Sequence, residues 1–154
     1  MTDVIIFFAV FIGMEGVAWW LHKYVMHGFL WNLHADHHAV NPTGSFEKND
    51  LFAIFFAVPS FFSILFGNIF NVSSLMAFGY GVMAYGVAYF FVHEVLIHRR
   101  WKIFPTPRNN SYVRAVNVAH KIHHSVHTKE GCENFGMVFV PLKYFRQAKA
   151  SKHA

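Results

Sequence analysis

Residues 4–21, 51–70 and 75–92 form three apolar stretches, each long enough as a helix to cross a hydrocarbon core of roughly 30 Å. The second and third contain no charged residue and the first contains one, Glu15. In lipid the backbone polar groups of a spanning segment must be satisfied within it, so stretches of this length fold as helices. Composition agrees, with 55% hydrophobic and only 14% charged residues, where soluble chains carry about a quarter charged. Nineteen phenylalanines and a mean hydropathy of +0.30 point the same way. The expected fold class is all-α, an integral membrane helical bundle. Its three transmembrane helices are placed at about 4–27, 51–70 and 75–97, and cytoplasmic and interfacial helices complete it.

No stretch resembles a linker, so residues 1–154 are expected to form a single domain. The first apolar segment lacks a basic leader and an A-x-A site and runs directly into histidines, so it is expected to stay in the mature protein. No Lys or Arg occurs from Met1 to His22 or from Asn49 to His98, while Lys23 and Lys48 bracket the first loop and eleven basic residues follow Ile97. The positive-inside rule then puts 28–50 and 98–154 in the cytoplasm, and the loop Asn71 to Ser74 outside. A basic tail beside anionic lipid is ordinary, so no nucleic-acid partner is expected. The lone Cys132 excludes an internal disulfide.

Several local expectations follow. The first helix should run to about Gly28, with Trp19 and Trp20 at interfacial depth. Asn41 to Asp50 reads as a polar loop broken by Pro42 and Gly44, with Asn49 or Asp50 capping the second helix, which Pro59 is expected to kink. Ala77, Gly81, Ala84 and Ala88 form a stripe of small residues suited to close helix packing. After the breakers in FPTPRNNS, Asn110 or Ser111 should start a helix ending near Gly131. Phe135 to Leu142 is too short to span and should lie against the membrane surface.

Ten of the twelve histidines fall into four clusters. His22 and His27 form H-x4-H, and His34, His37 and His38 form H-x2-H-H. His93 with His98, and His120 with His123 and His124, repeat both patterns in the same order. Each half of the chain thus reads as a membrane helix, an H-x4-H at its cytoplasmic end, and an H-x2-H-H. Spacings of three and four put imidazoles on one helix face. Members of H-x4-H diverge by about 140° on a regular α-helix, so they either grip different metals or sit on a helix end distorted by a π-bulge. Ten imidazoles converging at one membrane face would be costly to desolvate unless something shared their lone pairs. Imidazole suits Zn, Cu, Fe and Ni alike. Ten donors exceed one coordination sphere, and a structural zinc site saturates at four, so the supply points to a reactive dinuclear centre.

This series resembles the fatty acid hydroxylase superfamily of histidine-rich membrane di-iron enzymes. Within it the chain is similar to bacterial beta-carotene 3-hydroxylases over nearly its whole length, through HKYVMHGFLW, FEKNDLFA, FVHEVLIHRRW, AHKIHH and KEGCENFG. The histidine series alone is shared with desaturases and sterol enzymes; the flanking segments favour the carotenoid branch. The resemblance implies ligation of two Fe ions by His22, His27, His34, His37, His38, His93, His98, His120, His123 and His124. It implies molecular oxygen as co-substrate, a carotenoid hydroxylated on its beta-ionone rings, reduced ferredoxin as electron donor, and location in the inner membrane with the site on the cytoplasmic side. Zinc is a plausible substitute for iron on overexpression. His127 and His153 lie outside the motifs.

Around the clusters, Glu15 sits seven residues before His22, about 20° away round the helix. A carboxylate inside the membrane is a functional candidate, expected to accept an imidazole N–H or to pair with another helix. Asp36 and Glu94 lie inside clusters and are candidates for the same role, against solvated loop charges. Asn117 reads as a surface residue one turn before His120, and Arg99, Arg100 and Lys102 as determinants of topology. The alternatives are a hydroxylase or desaturase of fatty acyl or sterol lipids with the same metal core, and a membrane metal transporter. A transporter places its ligands near mid-membrane, whereas these lie at helix ends. Haem ligation fits adjacent His-His pairs poorly.

Overall fold

A computed structural model describes residues 1–39, 46–103, 105 and 109–150. Pro42 and Gly44, most of FPTPR and His153 lie outside the described residues. Among those described, every regular element is helical. Helix α1 covers Thr2–Trp20 and continues as a π-helical segment, Leu21–Phe29. The single turn α2 is Trp31–His34. A 3-10 segment, Lys48–Ala53, leads into α3, Ile54–Ile69. Helix α4, Ser73–Phe90, ends in a second π-helical segment, Phe91–Ile97, and α5 (Ser111–His124) and α6 (Leu142–Ala150) follow.

Three of these runs are long and apolar enough to cross a membrane: Thr2–Phe29, Lys48–Ile69 and Ser73–Ile97. Their outer faces carry Ile5, Phe8, Ile12, Phe61 and Phe62, all exposed, as expected where lipid rather than protein covers the side chains. Lys23 Nζ lies 4.9 Å from the Trp19 ring centre, the cation over an aromatic face that suits an interfacial anchor. Pro59 lies within α3, which continues through it to Ile69.

Helix α4 is the centre of the bundle, packed between α1 and α3. A Cβ built on Gly81 would come within 2.9 Å of the Phe7 carbonyl oxygen and of Val10 Cβ, and one on Gly79 within 2.9 Å of the Ser60 carbonyl. Ser60 Oγ donates to the Gly79 carbonyl at 3.0 Å. The small-residue stripe through Gly81 therefore meets α1, while Gly79 and Gly86 meet α3 on a face that the spacing does not reveal. We expect Gly81→Val to force α1 from α4, because a backbone carbonyl cannot swing aside. The cost should be about 1–3 kcal/mol, read from the detergent concentration at which the purified protein unfolds. An unchanged midpoint would contradict this packing.

The polar side departs from the sequence expectations at three places. Neither Asn49 nor Asp50 occupies the cap: the cap residue is Glu47, and Asp50 accepts from its amide at 3.0 Å. Helix α5 starts as expected, with the Asn110 side chain accepting from the Val113 amide, but ends at His124 rather than near Gly131. The chain leaves helix there because its next carbonyls turn towards the histidines, as described below. Residues 135–140 do not simply rest on a surface: Met137 is buried, packed with Val92 and Val116.

Candidate metal centre

Helices α1 and α4 run in the same direction, so the two H-x4-H pairs arrive at the same end of the bundle. The first pair lies on a π-helical segment, and in the second His93 lies on one that His98 closes. The His98 amide donates to the His93 carbonyl at 2.9 Å and the Leu30 amide to Val25 at 2.9 Å, bonds that span five residues. The wider turn brings residues five apart together: ring centres are 5.2 Å apart for His22 and His27 and 4.5 Å for His93 and His98. Of the two possibilities left open by the spacing, the distorted helix end is the one adopted.

The ten motif histidines meet in two groups. His22, His27, His34, His38 and His123 offer ring nitrogens that all lie within 4.8 Å of one another, as do those of His37, His98, His120 and His124. His93 joins the second group, its Nε2 3.0 Å from that of His37. The H-x2-H-H runs do not aim three rings at one point. In each, the members four apart stay with the H-x4-H pair of their own half, while the middle histidine, His37 or His123, crosses to the other group. The rings of His38 and His124 stack at 4.3 Å where the groups adjoin.

Partners on the far side of seven of these rings fix their orientation. Nδ1 of His22 donates to the Phe135 carbonyl (3.0 Å), His27 to Lys129 (3.1 Å), His38 to Val126 (3.0 Å) and His123 to Glu133 (2.8 Å). His34 donates to Asn49 Oδ1 (2.7 Å), His37 to Glu47 Oε2 (2.7 Å) and His93 to Glu94 Oε1 (2.7 Å). A carbonyl or carboxylate only accepts, so the proton of each neutral ring sits on Nδ1 and the lone pair on Nε2. Those bare Nε2 atoms then face one another: His22 to His34 at 3.1 Å, His27 to His123 at 3.2 Å and His37 to His93 at 3.0 Å. Two lone pairs make no hydrogen bond. Nε2 of His38 and of His124 are likewise buried without a hydrogen-bond partner. Convergent buried imidazole lone pairs are the donor set of a transition-metal site, and the cluster is consistent with one.

Burial keeps the rings beyond the membrane spans uncharged. It lowers His38 to about 4, His98 and His123 to about 3 and His34 to about 2, and pushes His37, His120 and His124 down as well, with neighbouring imidazoles adding to the effect. An unfolded chain takes up these protons near 6.5, whereas the folded chain does not until the pH is far lower. Stability from neutral rings is therefore complete above about 6.5 and declines as pH falls through that value towards 4. Chelator-stripped protein should unfold at a lower temperature at pH 5 than at pH 7.5. A midpoint that rises on acidification would contradict the buried, neutral arrangement.

The acidic candidates divide. Glu94 holds His93 and also accepts from Arg100 (3.0 Å), which grips Asp50 through both terminal nitrogens (2.7 and 2.8 Å). Arg100 is thus a tie between the two π- and 3-10-helical ends, beyond its effect on topology, and its hydrogen bond to Asp50 raises its pKa further. Asp36 turns to the Lys48 amide (2.7 Å). Glu15 accepts from Tyr85 Oη and the amides of Met137 and Val138, none of them an imidazole. Asn117 donates to the Val113 carbonyl of its own helix. His127 bonds the His38 carbonyl from outside both groups. Sequence reasoning missed Glu47 and Asn49, one unremarked and the other read as a helix cap, and the four loop carbonyls, which leave no trace in side-chain identity.

Beside the histidines lies an apolar cavity of about 460 Å³, lined by Leu21, Phe52, Phe56, Met83 and Val87 among others. Its lining includes Asn49 and Glu94, the side chains that hold His34 and His93. Fold and site together define a histidine-rich helical membrane enzyme. The chain belongs to the fatty acid hydroxylase family, which it matches over residues 7–145. It is 42% identical to the beta-carotene hydroxylase of Pantoea ananas over 90% of this chain and 78% of that one. It is also 42% identical to that of Pseudescherichia vulneris, over 83% and 71%. A chloroplastic beta-carotene 3-hydroxylase of Arabidopsis thaliana is 41% identical over 74% of this chain and 38% of its own length. No solved structure matches the chain.

Proposed function

We propose that the ten imidazoles hold two iron ions and that the enzyme hydroxylates the terminal rings of carotenoids. The observation that carries this reading is the pair of imidazole groups with converging bare nitrogens, together with an apolar cavity whose lining includes Asn49 and Glu94, the side chains that hold His34 and His93. The names of the bacterial and plant relatives support carotenoids rather than fatty acyl or sterol lipids as substrate. A long polyene fits only within hydrocarbon, and the cavity lies between the spans, where a terminal ring would reach the depth of His22 and His93. The positive-inside distribution of Lys and Arg supports a cytoplasmic position for this end of the bundle.

Breaking an unactivated C–H bond lies beyond side-chain acid–base chemistry, and iron with molecular oxygen supplies that capacity when bound. Per hydroxyl, one oxygen atom enters the ring C–H bond and the other leaves as water, with two electrons and two protons; reduced ferredoxin is the proposed donor. The chain's own contribution is to orient the imidazoles, exclude water and seat the ring. Phe52, Phe56 and Met83 offer apolar contact, while Asn49 and Glu94 lock the rings of His34 and His93.

Membranes containing the protein, given beta-carotene and reduced ferredoxin, should yield mono- and then dihydroxylated product in proportion to bound iron. Iron-loaded protein that consumes oxygen on fatty acyl or sterol lipid but leaves beta-carotene untouched would overturn the substrate assignment.

A further inference from the structure

Five of the seven Nδ1 contacts described above belong to the first imidazole group, and four of those five go to backbone carbonyls of one segment, residues 126–135. A backbone carbonyl holds a ring only as well as its own strand is held. In the stretch from Glu133 to Val138 that support comes from an unusual place, a carboxylate inside a membrane span. Glu15 Oε1 accepts from the Met137 amide at 2.7 Å, and Oε2 accepts from the Val138 amide at 3.1 Å and from Tyr85 Oη at 2.7 Å. Tyr85 is fully buried and Met137 nearly so. On the other side Tyr112 Oη donates to the Val138 carbonyl at 2.8 Å. Between the two amides and the histidine-facing carbonyls lies Gly136, where a Cβ would come within 2.7 Å of Glu15 Oε1. The missing side chain lets the loop backbone reach the carboxylate.

We propose that Glu15 is a positioning residue for the first imidazole group. It pins the 133–138 backbone so that the Glu133 and Phe135 carbonyls meet Nδ1 of His123 and His22. In the second group the two Nδ1 contacts described go to side chains instead, His37 to Glu47 and His93 to Glu94. Glu15 touches no imidazole, so its effect is transmitted through the loop. This inference rests on the metal reading given above, but not on the substrate.

The test uses metal release from the purified, iron-loaded protein into excess chelator, without substrate or electron donor. Glu15→Gln replaces one acceptor oxygen with an amide that opposes a loop N–H. Gly136→Ala disturbs the same contact from the loop side. Both variants should release one of the two ions faster, with affinity at that site lower by about 10- to 100-fold, the usual effect of losing a ring-orienting partner, while the other ion leaves at the unmodified rate. A purely structural role would loosen both ions together, and that outcome overturns the proposal, as would release of both at the unmodified rate. Should Glu15→Gln fail to insert, Tyr85→Phe removes only one of the three bonds to the carboxylate and should give the same selective release in weaker form. Iron-loaded protein that behaves as predicted but never hydroxylates beta-carotene would leave this inference standing while the substrate reading falls.

Discussion

Membranes carrying His123→Ala should contain inserted protein at near-normal level with carotenoid turnover reduced on the order of a thousandfold or more, the scale seen when one member of a catalytic unit is lost. His123 is fully buried and is the one ring that α5 sends into the first group. Its Nε2 lies 3.2 Å from that of His27, and its ring centre 4.5 Å from that of His22. Alanine therefore deletes a donor at the junction of the halves, and no neighbouring side chain can replace it. Because α5 lies outside the three membrane-length helices, insertion should survive. Bound iron should fall in parallel with turnover, measured on the same membranes. Turnover retained within a few fold would remove His123 from the ligand set.

Arg100→Lys should produce the second large effect, and it separates two roles that the sequence cannot distinguish. A residue that only sets topology would tolerate lysine, which keeps the charge. A residue that clamps would not, because one ammonium cannot reproduce two parallel bonds to Asp50 and a third to Glu94. The carboxylates it leaves behind flank the second imidazole group, since Glu94 holds His93. Breaking a buried ion pair costs roughly 3–5 kcal/mol. The expected loss is at or below the lower end of that range, because Asp50 keeps 32% of its side-chain surface exposed. Denaturation in detergent and iron content measured together would show it. A lysine variant with the unmodified midpoint and full iron content would return Arg100 to a topological role alone.

Much of this was legible in sequence because the membrane and the metal each impose a strict rule. Lipid requires long apolar helices, so the three spans could be placed to within a few residues from apolar run lengths alone. The histidine clusters were visible because imidazoles repeated in a fixed pattern at helix ends have few other uses. The H-x4-H spacing left two possibilities, separate metals or a widened helix end, and the structure adopts the second. What stayed hidden was support supplied by groups without a sequence signature. Backbone carbonyls of Val126, Lys129, Glu133 and Phe135 orient four rings, and any residue type offers a carbonyl. The end of α5 at His124 follows from the same demand, which overrides local helix propensity through Gly131. Asn49 and Glu47 sit where cap and loop residues are common, so their contacts with His34 and His37 emerged only in three dimensions. Glu15 was marked by its cost in lipid, yet its partners, a tyrosine 70 residues away and two amides 122 and 123 residues away, could not be deduced from helical angle.

The reciprocal crossing of His37 and His123 bears on how such a protein comes to life on the ribosome. When the first span and its histidines have emerged, four of the five donors of one group exist, but the fifth is still some 85 residues from synthesis, the distance from His38 to His123 being 123 − 38 = 85. Neither half can finish its own site or supply the loop carbonyls that orient His22, His27 and His38, so the complete five-donor group would assemble only once the whole polypeptide is made. A truncated or stalled product would accordingly lack both the full donor set and the backbone that orients it.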